Sequence, residues 1–519
     1  MEINLSENEK KIFNFLRDIN CKYNLNTVMR VAGGWVRDKC LSKESHDIDI
    51  ALDNMTGRQF TEFVSLETKS DFCVIEQNPE QSKHLETARI NIFGQSIDFV
   101  NLRDESFGGA YDKNRILTEN RFGSPLIDAQ RRDFTINSLF YNINTFEIED
   151  YVGGLADLGL ETNQIVLRTP LDPVKTLLDD PLRLLRGMRF LSRFENAKLD
   201  SIFIEAMKNS LVQDALVSKV SMERIGDELI GVKENGEEYK LGILNGDRVE
   251  EVIKLMYDVG ILEKILYVDR MKKFYNFNMS QKNNHHKYDV FNHTLKLMSN
   301  IKNNDFVKTL SNEKQSLMLI VSLLHDIGKL DPEKQQVKED GTYSYIGHEL
   351  SSLDVVTSFM KKLKRSTEHT EYVAKIVGNH MKPHSEGWGT DKALRRFIME
   401  YTDSWQETIV HAQMDLISSG TERTEKEILK YKKFIERGLE LKNNNEVPKN
   451  KPLISGHVIM SIFPDFDPKT GYIKKINDIL MDMKLDDPTL TEEDLLKEVH
   501  KIRETIGKEE DLRVILIEE

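Results

Sequence analysis

The sequence predicts an α+β region, with strands interleaved among helices, at its N-terminal end and a helical remainder. Three observations carry this. Strand-type patterns at residues 28–32, 47–50, 87–93 and 97–100 all fall within the first hundred residues. Helical patterns lie between them, one opening at the capping box Ser6/Glu9 and running to about residue 19, another over residues 56–66. Over residues 179–190 charged residues recur at helical spacing, and beyond Gly420 the chain is rich in Lys and Glu, reads as helical and breaks at Asn443-Asn444-Asn445.

Composition narrows the class. At 519 residues the chain is long enough for three or four domains, each with its own core. Charged residues make up 30% and apolar ones 39%, and no run of about eighteen apolar residues occurs, so no membrane span is expected. Met1-Glu2-Ile3-Asn4-Leu5-Ser6-Glu7 is acidic and lacks the character of a signal or transit peptide, which predicts a cytoplasmic protein. Cys21, Cys40 and Cys73 are too few and too scattered for a disulfide framework or a zinc ribbon. A net charge of −14 argues against broad nonspecific nucleic-acid binding but leaves room for a local basic surface. Nothing here sets an oligomeric state.

The first strand, Val28-Met29-Arg30-Val31-Ala32, runs into Gly33-Gly34 and then a helical pattern through Trp35-Val36-Arg37-Asp38. Glycines at a strand-to-helix turn let backbone amides approach a phosphate. Neither a Walker lysine nor a third Rossmann glycine follows. In Asp47-Ile48-Asp49-Ile50 a period of two places Asp47 and Asp49 on one strand face, a pair of hard oxygen ligands suited to Mg²⁺. An ordinary exposed strand face has the same pattern. The strands around residues 90 and 98 join at Gly94-Gln95, and Asp98 points away from Ile97 and Phe99, as a third metal carboxylate or a surface acid would.

Phe107-Gly108-Gly109-Ala110 reads as a mobile loop. Arg131-Arg132-Asp133-Phe134-Thr135-Ile136-Asn137 follows, with guanidinium groups suited to triphosphate or ribose contacts or, equally, to a solvated helix start. The paired glycines of Tyr151-Val152-Gly153-Gly154 suggest a hinge. Asp180, Arg183, Arg186 and Arg189 then recur at intervals of three on one side of a helix, a pattern that a salt-bridged amphipathic helix shares.

Taken in order, Gly-Gly-x-Val-Arg-Asp, Asp-x-Asp, Arg-Arg-Asp, the paired glycines, Asp-Asp-x-x-Arg and Ser221-Met222-Glu223-Arg224-Ile225-Gly226-Asp227-Glu228-Leu229 resemble the class II tRNA nucleotidyltransferases, the CCA-adding enzymes, across roughly residues 25 to 235. The resemblance implies a polymerase-β-like nucleotidyltransferase head at 1–158, then all-α regions: a neck and body at 159–275 that select the base and bind RNA, and a tail at 426–519. It also implies tRNA 3′ ends, CTP and ATP as partners and two Mg²⁺ held by Asp47 and Asp49 with Asp98. Gly33, Gly34, Arg37, Asp38, Arg131, Arg132, Asp133 and Asn137 fall on the motifs that bind the nucleotide. Where the family carries Glu-Asp in its base-selecting motif this chain has Asp179-Asp180, with the base-contacting second acid unchanged. Cytosine and adenine both present an amino donor beside a ring-nitrogen acceptor, so an accepting Asp180 and a donating Arg183 would pair with either and reject uracil and guanine. Arg186 and Arg189 continue that face toward phosphates or the primer end.

Nine of the thirteen histidines fall between His285 and His411. His293, His325-Asp326, His348, His380 and Asp415 follow the order of an HD phosphohydrolase domain, expected over 276–425. Such ligands suit one or two divalent transition metals, Ni²⁺, Mn²⁺, Co²⁺ or Fe²⁺, that activate water. The combined reading is a CCA-adding enzyme with a phosphohydrolase acting on an RNA 3′ end, most plausibly on a 2′,3′-cyclic phosphate. A poly(A) polymerase of the same superfamily, an RNA-end phosphohydrolase whose head only positions RNA, and a binding protein with idle sites are the competing readings. Intact Asp47, Asp49, Asp98, His325 and Asp326 argue against idle sites.

Overall fold

The computed structural model describes residues 3–45, 47–75, 86–102, 122–234, 238–273, 288–385 and 388–505. The loop expected at Phe107-Gly108-Gly109-Ala110 lies outside them. The chain divides into two compact units, residues 1–232 with 240–265, and residues 233–239 with 266–519.

The first unit opens with α1 (Glu7–Lys22), whose cap is the predicted box: Ser6 accepts from the Glu9 amide, and Glu9 accepts from the Ser6 amide. Glu9 also accepts from Trp35 Nε1 at 3.0 Å and from Lys39 at 2.8 Å, which ties α1 to the helix after the glycine turn. Strand β1 (Met29–Ala32), α2 (Gly34–Cys40), β2 (Ile48–Leu52), α3 (Gly57–Thr68), β3 (Phe72–Ile75), β4 (Thr87–Ile92) and β5 (Gln95–Asn101) follow, then α4 (Pro125–Gln130), β6 (Phe140–Asn142) and β7 (Glu147–Glu149). They form a seven-stranded mixed sheet in the order β3-β4-β5-β2-β1-β6-β7, in which only β2 and β5 run parallel. A parallel pair needs a crossover, and α3 supplies part of it. Gly57 lets this helix lie directly on the Phe99 carbonyl, where a Cβ would not fit. The core beneath holds Phe13, Trp35, Phe60, Phe99 and Phe140, each no more than 1% exposed.

The residues expected to form a hinge form a pinned turn instead. Asp150 accepts from the amides of Val152, Gly153, Gly154 and Leu155, and α5 (Gly154–Asp157) starts there. Gly153 supplies the positive φ of 83° that the turn requires. Two helices follow, α6 (Pro173–Asp179) and α7 (Leu182–Arg193). Helix α7 buries Leu184, Leu185, Met188 and Leu191, and Gly187 admits the rings of Phe134 and Phe203.

The second unit is almost wholly helical. Helices Val290–Asn303, Asn312–Leu324, His348–Lys362, Thr367–Asn379, Asp391–Glu400, Trp405–Ser418 and Glu425–Asn443 succeed one another. The last ends at the predicted asparagine run, with Asn445 at a φ of 57°. Helices Gly456–Ile462, Tyr472–Asp486 and Glu492–Thr505 close the chain around their own cluster of Ile459, Phe463, Tyr472, Ile476, Leu480 and Val499.

Candidate active site and metal centre

In the first unit Asp47 directly precedes β2 and is exposed, while Asp49 projects from β2 between the buried Ile48 and Ile50. Asp49 and Asp98 are register partners on β2 and β5. Asp49 is reached by solvent, yet it is crowded enough by protein that desolvation, and then the Asp98 charge, push its pKa up to about 6. The carboxylate of Asp98 is gripped in a bidentate pair by Arg89 on β4, at 2.6 and 2.7 Å. Residue-type reasoning missed Arg89. The signal was there, because a two-residue turn at Phe93-Gly94 pairs residue 92 with 95 and hence 89 with 98. A crowded carboxylate with a raised pKa, as at Asp49, suits a hard cation, which relieves the repulsion that desolvation amplifies.

The glycine turn sits at the end of β1. Gly33 has a φ of 77° and donates to the Leu139 carbonyl, and a Cβ there would meet Arg132 Nη1 at 2.9 Å. Arg37 pairs with Asp38 and donates to Asn137 Oδ1 at 2.6 Å, with its guanidinium over the rings of Phe190 and Phe194. Arg131 and Arg132 stand at the end of α4, not at a helix start, because Ser124 and Pro125 already opened that helix. Both pair with the buried Asp128, three and four residues back. Asp133, also buried, accepts from the Phe134 amide, from Asn137 at 3.0 Å and from Arg186 at 2.8 Å. Burial alone would raise its pKa; Arg186 and these donors outweigh it and hold it at about 2.

Asp180 is not on the helix that carries Arg183. Pro181 follows it and forces extended backbone, φ −142° and ψ 96°, so Asp180 caps the end of α6 and accepts from the Leu182 amide. Arg183 spends two donors on the carbonyls of Thr176 and Arg131, the latter at 2.6 Å. These bonds fix the guanidinium at the junction of α6, α7 and the Arg131–Asp133 turn. Arg186 is committed to Asp133, and Arg189 is buried against Glu228 at 3.2 Å. Arg189 therefore faces the interior, away from the position expected for a phosphate contact.

The second unit brings all six predicted ligands together. His293, His325, Asp326 and Asp415 form one group whose ligand atoms lie within 4.8 Å of one another, and Asp326, His348 and His380 form another. Asp326 belongs to both: its Oδ2 lies 3.3 Å from His325 Nε2, and its Oδ1 lies 3.1 Å from His348 Nε2. Backbone carbonyls of Ser322, Tyr345 and Val377 meet Nδ1 of His325, His348 and His380, which turns each Nε2 inward. Burial would raise the pKa values of Asp326 and Asp415, but the neighbouring histidines, and Lys329 at Asp326, hold both carboxylates far below their ordinary value. Burial would lower that of His325, and Asp326 and Asp415 instead carry it up to about 10. For His380 burial and the adjacent His325 and His348 prevail, so it stays neutral. A neutral imidazole and ionised carboxylates in one dry cluster fit a divalent cation.

Sequence reasoning left three residues of this centre unassigned. Lys329 places its ammonium 2.6 Å from Asp326 Oδ2. His411, one helical turn before Asp415, is fully buried with its ring 5.1 Å from that of His325. His384 approaches Asp415 from the other side. Spacing of four along a helix would have flagged His411; nothing local flags His384.

Comparison with known proteins agrees with this division. The Poly A polymerase head domain family matches residues 29–165, and the HD domain family matches residues 285–420. The mitochondrial CCA tRNA nucleotidyltransferase of Candida glabrata is 32% identical over 546 residues, covering 96% of each chain. Poly(A) polymerase I of Escherichia coli O157:H7 is also 32% identical, but over 31% of this chain and 33% of its own. Among solved structures, a CCA-adding enzyme in complex with ATP overlays with a TM-score of 0.59 at 18% identity, covering 98% of this chain and 99% of that one, a likeness of fold. With a mixed-sheet head, a helical remainder and a relative matched from end to end, the chain belongs to the CCA tRNA nucleotidyltransferase family.

Proposed function

We propose that this chain adds C, C and A to tRNA 3′ ends from CTP and ATP, and that its second unit hydrolyses phosphate esters at RNA 3′ ends. The observation that carries the first part is the register pairing of Asp49 with Asp98 beside the Gly33 turn. Asp47, Asp49 and Asp98 are the residues that would hold Mg²⁺. When bound, Mg²⁺ lowers the pKa of the primer hydroxyl and neutralises the departing pyrophosphate. Gly33, Gly34, Arg37 and Arg132 line the triphosphate position, and Asp38, Arg131 and Asn137 hold that turn in shape. Asp180 accepts the amino proton of C or A while Arg183 donates to the ring nitrogen, so a protein edge replaces a template. Asp133 fixes Arg186 and Asn137 behind them.

Four functional regions follow: the head at 1–158, a base-selecting neck and body at 159–275, the HD region at 276–425 and the tail at 426–519. His293, His325, Asp326 and Asp415, with His348 and His380, would hold Ni²⁺, Mn²⁺, Co²⁺ or Fe²⁺, which makes water a nucleophile at neutral pH. The substrate we infer is a 2′,3′-cyclic phosphate. A nucleotidyltransferase needs a free 3′-hydroxyl, and hydrolysis of the P–O3′ bond supplies one. Three free cysteines, two of them exposed, fit a reducing compartment, and no helix among the described residues is long and apolar enough to cross a membrane. We place the chain in the cytoplasm; fractionation decides between that and the mitochondrial location in the relative's name.

The test uses tRNA lacking its 3′ end, offered with each nucleotide singly, and the same tRNA ending in a cyclic phosphate. Sequential C, C and A addition supports the reading, and processive A addition alone would favour a poly(A) polymerase. His325→Ala with Asp326→Ala should stop extension of the cyclic-phosphate substrate and spare the hydroxyl-ended one. Loss on both would mean that the pair supports the fold, and loss on neither would remove the proposed substrate.

A further inference from the structure

The two oxygens of Asp415 face different surroundings. Oδ1 points into the first group, 2.8 Å from His293 Nε2 and 3.5 Å from His325 Nε2. Oδ2 points out of it, 3.5 Å from His384 Nε2. His384 lies on the short turn Lys382–His384, and its side chain is 20% exposed, whereas His293, His325, His380 and His411 are sealed. Its other ring nitrogen, Nδ1, is 2.7 Å from the hydroxyl of Tyr431. Tyr431 comes from the helix Glu425–Asn443, 1% exposed in a cluster with Phe397, Ile398, Trp405, Ile409 and Ala412. The hydroxyl of this buried tyrosine thus reaches an imidazole whose other nitrogen faces Asp415 Oδ2.

We propose that Tyr431 and His384 form a positioning chain that holds Asp415 with one oxygen turned toward a divalent cation. The inference rests on the metal-centre reading given above. The tautomer follows from the partners: a carboxylate only accepts, so a His384 proton belongs on the side of Asp415 and Nδ1 is left to accept from the Tyr431 hydroxyl. The His384 proton then sits on Nε2, aimed at Asp415 Oδ2. At 3.5 Å this contact is longer than a hydrogen bond, and Nε2 has no other partner among the described residues. Standing at Oδ2, His384 would keep Asp415 a one-oxygen ligand and leave its neighbours room for substrate. Outer partners of this kind fix ligand orientation, and their loss weakens metal binding by about ten- to a hundredfold.

The test is a Mn²⁺ titration of the full chain by calorimetry, in an Asp49→Asn background that silences the head. Tyr431→Phe keeps the ring and its packing, so it isolates the hydroxyl. Tyr431→Phe and His384→Ala should each weaken Mn²⁺ binding by about tenfold or more. His384→Gln, which retains a donor toward Asp415 and an acceptor toward Tyr431, should recover most of that loss. Unchanged affinity in Tyr431→Phe and His384→Ala, with the parent binding normally, overturns the positioning chain alone. So does a drop in the metal-free Tm of Tyr431→Phe with no change in affinity, which marks a packing role. Failure of the parent itself to bind Mn²⁺ overturns the metal-centre reading and this inference with it.

Discussion

Asp49 on β2 and Asp98 on β5 stand side by side across the parallel pair of the head, and only Asp98 is neutralised, by the two-pronged grip of Arg89. The charge left over sits on Asp49, whose pKa of about 6 records the cost of ionising it there. A cation at this edge would meet the charge of Asp49 and would have to share Asp98 with Arg89.

Asp49→Asn should abolish incorporation of both CTP and ATP, by about a thousandfold or more, equivalent to at least ~4 kcal/mol of transition-state stabilisation. Its stability should move the other way. The folded pKa of about 6 lies above the ordinary 3.8, so ionising Asp49 costs stability as pH rises from about 4 to 6. Without divalent ions the variant should therefore melt above the wild type at pH 7 and level with it near pH 4, and Mg²⁺ should narrow the gap. Calorimetry across that range checks it, and identical curves at every pH would contradict the crowding of Asp49.

Asp133 has the opposite sign. Its folded pKa of about 2 lies below the ordinary value, so its contribution is complete above about pH 4 and is lost as pH falls from there toward 2. The shift corresponds to about 2 kcal/mol. Asp133→Asn leaves Arg186 without its partner and should cost about 3 kcal/mol at neutral pH, read as a lower denaturation midpoint. Nucleotide incorporation should fall with it, since Asn137 and through it Arg37 lose their anchor. A variant that unfolds like the wild type at pH 7 would mean that solvent, not Arg186, satisfies this carboxylate.

Much of this was legible because the signals are local. The Ser6/Glu9 box, the period-two run around Asp49 and the turn at Gly94 each follow from neighbours in the chain, while the order of His293, His325-Asp326, His348, His380 and Asp415 follows from its likeness to an HD domain. What escaped depends on backbone geometry or on distant partners. A regular spacing of three put Asp180 and Arg183 on one helix, but Pro181 extends the residue before it and moves Asp180 into the junction. Arg189 fits the same spacing, yet Glu228 from another helix takes it inside. The Tyr431–His384 contact spans 47 residues, and no pattern in either segment announces it.

If the proposed base selection is right, base choice depends on that junction. Arg183 is anchored by the carbonyls of Thr176 and Arg131, so replacing it removes a donor that cannot be supplied from elsewhere. Asp180→Ala and Arg183→Ala should each raise incorporation of UTP or GTP relative to CTP and ATP, by about 1–3 kcal/mol of lost discrimination. Single-turnover rates with the four nucleotides give the ratios. Equal loss of all four rates would mean that the two side chains only hold α6 to α7.

Asp326 is the shared member of both ligand groups in the second unit, which makes metal stoichiometry a sharper probe than activity. His348 and His380 serve only the group completed by Asp326 Oδ1, whereas His293 and Asp415 serve only the other. Removing His348 should therefore leave one site intact, and removing Asp326 should damage both. With the head silenced by Asp49→Asn, the parent should bind two Mn²⁺ per chain, His348→Ala one, and Asp326→Ala none at concentrations that saturate the parent. Stability should follow occupancy: a ligand at a hundred times its Kd adds about 2.7 kcal/mol per site. Chelation should thus lower the melting temperature of the parent more than that of His348→Ala, and leave Asp326→Ala unmoved. A parent that binds a single ion, with His348→Ala unaffected, would reduce the centre to His293, His325, Asp326 and Asp415 and leave His348 and His380 for the substrate phosphate.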